Sequence, residues 1–427
     1  MDPAFDADHG STPAVGFAPA QISGCVNRLV LREHVDAAAF LWRQRRRAVV
    51  APHYKLKHLA LLDERLRGHL EGLRTGGTTA VAMAQEALGD AEPGTVFVFA
   101  YLAFSARDKA LMRHALQVAL ADADFGDPLI AALAWLPLGS LAPVLDHLAR
   151  SEFAGHRRAA LAAFSARRID ARELARRSLD DADPALRSRA LRAAGETRRV
   201  DLLEGVRAAQ TDRDPACRLR AVQAAALLGD AGASAEALAL SRQPGTSAEV
   251  DAALEVAVRC SPLEVARNVI RSLINAKDMR RAVAAIGALG DPAGVSWLLT
   301  CMREPAHARI AGEAFSTVTG ADLGYLGLKQ DPPEHDEAQD RDEDIDLPWP
   351  QPDRVAAWWR QEQARVGGAA RLLCGQPMTP DGLLVVLRHG YQRDRRRAAF
   401  ELARRGGASM LFPVDDRADR QAARLAS

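Results

Sequence analysis

One line of sequence recurs in this chain at a fixed distance, and that recurrence constrains the fold more than any other feature. Residues 183–195 read DPALRSRALRAAG, and residues 214–229 read DPACRLRAVQAAALLG. Asp183 and Asp214 lie 31 residues apart, as do Pro184 and Pro215, Arg187 and Arg218, and Arg189 and Arg220. Self-similarity at such a period marks a repeat architecture, in which each unit buries its apolar face only by stacking on neighbours. Each line also reads as a helix. Asp is a good N-cap, Pro fits the first helical position, and Ala, Leu and Arg carry the helix until Gly breaks it.

Degenerate copies lie on both sides. Asp127-Pro128 opens LIAALAWLPLG, and residues 157–165 read RRAALAAFS, 30 residues before the matching stretch at Arg187. Further copies are EVDAALEVAVR (249–259), RRAVAAIGALGDP (280–292) and PAHARIAGEAF (305–315). Second helices fall between them, at residues 172–179, 201–209, 263–274 and 295–302. The run Val96-Phe97-Val98-Phe99 fits either a short strand or a buried helix.

The expected fold class is therefore all-α, an α-solenoid of HEAT-like helix pairs with helical caps. Its expected parts are a flexible leader (1–22), an N-terminal helical cap (23–92), the repeat array (93–320), an acidic and Pro-rich linker (321–352), and a C-terminal helical module with a tail (353–427). In the N-terminal cap, Leu56, Leu59, Leu62, Leu66, Leu70 and Leu73 mark one apolar helix face. C-terminal helices are expected at residues 353–366, 379–389 and 392–405, and the last twenty or so residues as a tail.

The DP…R.RA…LG line resembles the HEAT-like repeats of phycobilisome-lyase-type bacterial α-solenoids. The flanks narrow the likeness. AAAFLWRQR (37–45), ALLDERLRGHLEGL (60–73), AGEAFSTVTG (311–320), LPWPQPDRVAAWW (347–359) and RDRRRAAFEL (393–402) are similar to an uncharacterised bacterial HEAT-repeat family often encoded near type VI secretion gene clusters. That resemblance implies a context rather than a mechanism, because such repeats serve lyases, glycosylases and scaffolds alike.

Composition bounds the partners. The net charge of +1 points to neither nucleic acid nor a membrane surface on average. Only five of the 56 basic residues are lysine, so isolated arginine pairs are discounted as functional signals. The five cysteines are scattered without CxxC spacing, which suggests reduced thiols and no zinc site. No basic n-region precedes an apolar run at the N-terminus, and no apolar stretch reaches the length of a membrane span. A cytoplasmic protein without cofactors is expected.

Signatures for nucleotide binding, GxSxG hydrolysis and HExxH metal binding are absent from the sequence. The alternating Asp340, Asp342, Asp344 and Asp346 imitate a calcium loop. However, Ile345 and Gln351 stand where such a loop needs Gly and Glu, so a solvated acidic loop is the expectation, with Asp340, Asp342 and Asp344 as candidate electrostatic contacts to a protein partner. His34, His58, His69 and Asp63 offer acid–base groups on the N-terminal helices, and the plain expectation for them is surface or interhelix hydrogen bonding. The in-phase arginines (Arg157, Arg187, Arg189, Arg218, Arg220, Arg280, Arg281) read as a ladder that pairs with the cap aspartates Asp183 and Asp214 of neighbouring repeats, or else as a grip on an acidic partner or phosphates. Trp349, Trp358 and Trp359 fall within eleven residues. Trp358 and Trp359 point about 100° apart on a helix, so the plain expectation is that one packs on the last repeat while the other covers the Pro-rich linker; otherwise one of the tryptophans serves as a protein-binding anchor.

Three functions remain in play. The first is a non-enzymatic scaffold, namely an adaptor, chaperone or immunity-type factor for a secretion effector or tip component. The second is a HEAT-fold nucleic-acid-binding or base-repair protein that uses the arginine ladder. The third, a bilin lyase, rests on the repeat resemblance alone.

Overall fold

The computed structural model describes residues 27–333, 344–366, 368–406 and 410–426. Three helices come first: α1 (Arg28–Val50), α2 (Leu56–Thr75) and α3 (Gly77–Glu86). There follow α4 (Pro93–Ala106), α5 (Lys109–Ala121), α6 (Gly126–Trp135), α7 (Leu138–Ala149), α8 (Ala154–Ala166) and α9 (Glu173–Arg177). Next are α10 (Pro184–Glu196), α11 (Leu203–Ala208), α12 (Pro215–Leu228), α13 (Ala233–Leu240) and α14 (Ser247–Cys260). The series continues with α15 (Leu263–Asn275), α16 (Met279–Leu289), α17 (Val295–Cys301) and α18 (Pro305–Thr319). Last come α19 (Pro352–Glu362), a hairpin of β1 (Leu372–Leu373) and β2 (Gln376–Pro377), α20 (Pro380–His389), α21 (Gln392–Arg405) and α22 (Ala418–Ala426). The described chain is all-helical apart from that hairpin and two isolated bridges.

Alternate helices pack each on the next: α4 on α6, and so on through α8, α10, α12, α14 and α16 to α18. The odd-numbered helices between them flank this row, and α1 extends it by packing on α4. The Val96–Phe99 run is helical, and every residue from Val96 to Phe104 is buried, because α4 lies between α1, α5 and α6. Buried apolar side chains form one cluster from Leu31 to Ala257. A second takes over at Leu254 and Val258 of the shared helix α14.

The caps behave as expected of the Asp-Pro line. The Asp183 carboxylate accepts from the N–H groups of Ala185 and Leu186, and that of Asp214 from Cys217, with Pro184 and Pro215 in the first turn. Gly229 ends α12 in the left-handed region, at φ 82°. Gly195 does not end α10, which runs on to Glu196. A Cβ at Gly195 would lie 2.9 Å from Cα of Ala224, so this glycine permits the close crossing of α10 and α12.

Three other expectations shift. The run Thr75-Gly-Gly-Thr-Thr79 reads as a loop in the sequence, but Gly77–Thr79 belong to α3. The turn Cys374-Gly375 makes a hairpin that periodicity missed; both residues have positive φ (50° and 72°), which suits a tight hairpin turn. The expected tail contains α22, which packs on α2.

From α19 onward the chain runs back along the row. Leu372 N–H donates to Gly290 O at 2.7 Å, Cys374 N–H to Thr317 O at 2.6 Å and Gly375 N–H to Val318 O at 2.9 Å. Arg404 donates to Arg259 O at 2.8 Å, Leu411 N–H to Glu196 O at 3.1 Å, and Arg420 to Ala134 O at 2.7 Å. These acceptors sit at or just beyond the C-terminal ends of α6, α10, α14, α16 and α18, where the last carbonyls of a helix have no partner within it. After the hairpin has met α16 and α18, the segment satisfies helix ends in reverse sequence order, from α14 through α10 to α6. It finishes at α2, where Ala418 N–H donates to the Asp63 carboxylate at 2.7 Å.

An arginine-lined groove as the candidate functional site

Equivalent positions of consecutive row helices, three and then four residues apart, lie on one helix face. On α10 they are Arg189, Arg192 and Glu196; on α12, Arg220, Gln223 and Leu227; on α14, Ala252, Glu255 and Arg259. Further along the row, Ile310, Glu313 and Thr317 of α18 repeat the pattern. All of these line a chain of three adjoining cavities of about 320, 590 and 480 Å³. The first two share Val50, Arg192, Glu196 and Arg396, and the last two share Glu255, Arg259, Arg393 and Arg397. Together they form a continuous groove that follows the repeat.

The opposite wall is α21, which contributes Arg393, Arg396, Arg397 and Phe400. Two contacts to the N-terminal region hold it across the row. Gln392 N–H donates to Tyr54 O at 2.8 Å, and Arg393 donates to Val50 O at 2.7 Å. The groove therefore exists only because residues more than 300 positions apart meet.

Six arginines and two glutamates line the central cavity. Glu196 takes up part of that charge: its carboxylate lies 2.6 Å from Arg189, 2.8 Å from Arg192 and 3.8 Å from Arg168. Burial by itself would raise the Glu196 carboxyl, but these three arginines outweigh it and hold the group well below the usual carboxylate range. Burial pushes the Arg189 guanidinium down to about 10. Arg397 is paired with Asp394 at 2.8 Å, with Glu313 further off at 3.5 Å.

The remaining charge is less well matched. Arg220 donates only to the neutral Gln223 side chain, at 2.8 Å; burial, and then Arg192, push its guanidinium down. Arg396 is exposed into the groove and, among the described residues, makes no hydrogen bond or ion pair. Arg259 is 3% exposed, yet neither of its terminal nitrogens has a hydrogen-bond acceptor, and the nearest oxygen of Glu401 lies 3.5 Å away. The Arg259 Nε does donate to Glu255 at 2.9 Å, but buried N–H groups without an acceptor are costly, so the terminal nitrogens favour an added acceptor.

The arginine ladder proves to be two ladders. Arg157, Arg187 and Arg218 each donate to two carbonyls five and six residues earlier, which ties down the turn before their helix. The first two also reach the following repeat: Arg157 to Asp181 at 2.6 Å, and Arg187 to Asp212 through two bonds of 2.9 Å. The expected partners, the cap aspartates Asp183 and Asp214, instead serve their own helices. Asp181 and Asp212 stand two residues before the caps, also 31 apart, so the repeat held that signal. Arg189 and Arg220 point into the groove. Of the outlying pair, Arg281 binds Asp251 and Asp278, and Arg280 grips Asp344.

Asp344 is buried and accepts from Arg280 at 2.6 and 3.0 Å, so it is not part of a solvated loop. Asp340 and Asp342 lie outside the described residues. Trp349 is buried beneath the Arg309 guanidinium. Trp359 is also buried, and Trp358 is half-buried; both set their rings edge-on to Phe315, so neighbours on a helix converge on one target. Burial leaves neither Trp349 nor Trp359 free as a partner anchor.

The N-terminal acid–base candidates are scattered. His34 and His69 face each other, Nδ1 to Nδ1, at 2.8 Å. His58 accepts from Lys55 N–H at the start of α2, and Asp63 binds Arg45 and the N–H of Ala418. Among the described residues, no three His, Cys, Asp or Glu side chains are grouped to hold a metal ion, and no helix is long and apolar enough to cross a membrane. No protein-family model, curated protein or solved structure matches this chain.

Proposed function

We propose that this protein is a non-enzymatic binding scaffold, an α-solenoid whose row of helices winds into a shallow superhelix and holds a partner protein in the groove facing α21. One observation carries the reading: the three cavities join along equivalent faces of successive repeats, giving a site with the repeat's own directionality. Repeat proteins use extended surfaces of this kind for recognition. At roughly 10 Å between packed helices, the groove from α8 to α18 is about 50 Å long, the reach of an extended segment of about fifteen residues.

The similarity of the flanks to a family found beside type VI secretion genes supports a partner among secretion effectors or tip components, with the scaffold as adaptor, chaperone or immunity-type factor. Placing a photo-cross-linking amino acid at Gln223 or Ala252, in a host carrying such a cluster, tests this. Covalent adducts with one defined partner at the groove positions, and none at exposed Arg67, are expected. Groove positions that give no adduct while secretion is active would sink the reading.

Nucleic acid is the weaker alternative. Base stacking needs accessible aromatic faces. The groove's two tryptophans, Trp42 and Trp135, are 2% and 6% exposed and lie under arginine guanidinium groups.

A further inference from the structure

Arg220, Arg259 and Arg396 share the central cavity without a matching set of acceptors. Among the described residues, Arg220 bonds only a neutral amide and Arg396 makes no hydrogen bond or ion pair; Arg259 pairs its Nε with Glu255 at 2.9 Å, but neither of its buried terminal nitrogens has a hydrogen-bond acceptor. Glu196 is consumed by Arg168, Arg189 and Arg192, so it cannot serve them. From this juxtaposition we infer that the central cavity is a carboxylate-binding site for an acidic, extended stretch of the partner chain, whose Asp or Glu side chains occupy the acceptor positions now missing. The inference deepens the scaffold reading and rests on it.

The chemistry favours carboxylates. A guanidinium presents paired N–H groups that match a carboxylate in two parallel bonds, and such charge-assisted bonds are the stronger kind. Spacing agrees as well. Arg220 and Arg259 stand on neighbouring row helices, roughly 10 Å apart, and residues i and i+3 of an extended chain are separated by about the same distance. An acidic residue at every third position would therefore meet one row helix after another. Glu255, paired with Arg259 at 2.9 Å, keeps a carboxylate in the cavity wall and disfavours a densely charged phosphate chain more than a peptide with spaced carboxylates. Phe400, Leu227 and Val256 line the same cavity and offer apolar contact to the peptide's other side chains.

The test uses the full-length protein and three fluorescent probes: a fifteen-residue peptide with Glu at every third position, the same peptide with Gln in place of Glu, and a fifteen-nucleotide single-stranded DNA. The Glu peptide should bind in low salt, at least tenfold tighter than the Gln peptide, and weaken as salt rises. The double variant Arg220→Gln/Arg396→Gln should lose at least tenfold of that affinity. The control Arg67→Gln/Arg113→Gln removes equal charge from residues outside the groove and should lose less than twofold. Thermal unfolding of both variants confirms that they are folded.

No difference between the Glu and Gln peptides overturns the carboxylate site, as does equal loss in the control, which would reduce the effect to net charge. Tighter binding of the DNA, sensitive to the groove variant, overturns the peptide class in favour of nucleic acid. Groove cross-links to a native partner in the absence of Glu-peptide binding would retain the scaffold reading and remove only its acidic ligand.

Discussion

Arg187 of one repeat and Asp212 of the next form a two-pronged ion pair, Nε to Oδ2 and Nη2 to Oδ1, each at 2.9 Å. The same guanidinium donates to the carbonyls of Asp181 and Ala182, so one side chain fixes its own turn and its neighbour's position. Asp212 also accepts from Asp214 N–H at 2.9 Å. Asp212→Asn should leave an amide facing a guanidinium and lower stability by about 1–2 kcal/mol. Urea unfolding would measure it. Asp183→Asn, which retains a good N-cap, should cost less.

Gly195 lets α10 and α12 approach until a Cβ would meet the Ala224 backbone. Backbone atoms cannot swing aside as a side chain does. Gly195→Ala should therefore force the two helices apart and cost about 1–3 kcal/mol, although Ala is the better helix former elsewhere. A rise in thermal midpoint would contradict the role assigned to this crossing.

Glu401 is 1% exposed and lies between Arg259, Arg404 and Arg405, at 3.5, 2.9 and 2.7 Å. Glu401→Gln removes the one carboxylate those arginines share. Breaking a buried charge cluster from one side costs about 3 kcal/mol or more. Because Arg404 also holds the end of α14, limited proteolysis should show the chain from α21 onward cleaved earlier in the variant, with α4–α18 protected longer.

His69 and His156 are both held below the ordinary histidine range. Burial is the main cause in each case, with His34 adding to it at His69 and His147 at His156. A folded-state value below the unfolded one means that the unfolded chain binds protons more readily. Stability is then complete above the unfolded pKa of about 6.5 and falls as pH drops below it. The thermal midpoint should decline between about pH 7.5 and 5.5, and the decline should be shallower in His34→Gln. An identical slope in that variant would show that the His34–His69 contact does not contribute.

Much of the fold was legible because the repeat is local. The caps at Asp183 and Asp214, the proline first turns, the paired helices and the αL glycine at 229 all follow from short-range backbone chemistry. The groove was half legible: Arg189 and Arg220 stood out by phase, and phase alone placed them with Arg187 and Arg218. Their helix separates the two sets, since positions two apart on a helix point about 200° from each other. The wall made by Arg393, Arg396 and Arg397 carried no signal, because an arginine-rich helix reads as a solvated surface. The C-terminal stretch misled for the same reason; α22 offers Gln421, Ala418 and few apolar residues, yet docks through hydrogen bonds to Arg395 and to the carbonyls of Val414 and Asp416.

The amino-acid sequence by itself determined helices of a given length, their order and their stacking period, because capping, proline, glycine and alanine act within a few residues. Only the tertiary structure decided where the last seventy-five or so residues lie. Their course is set by acceptors at helix ends scattered from Ala134 to Val318, and by the meeting of Arg393 with Val50 and of Ala418 with Asp63. Contacts over such separations leave no periodic trace in a chain, and it is these contacts that turn one face of a helical row into a two-walled, arginine-lined groove.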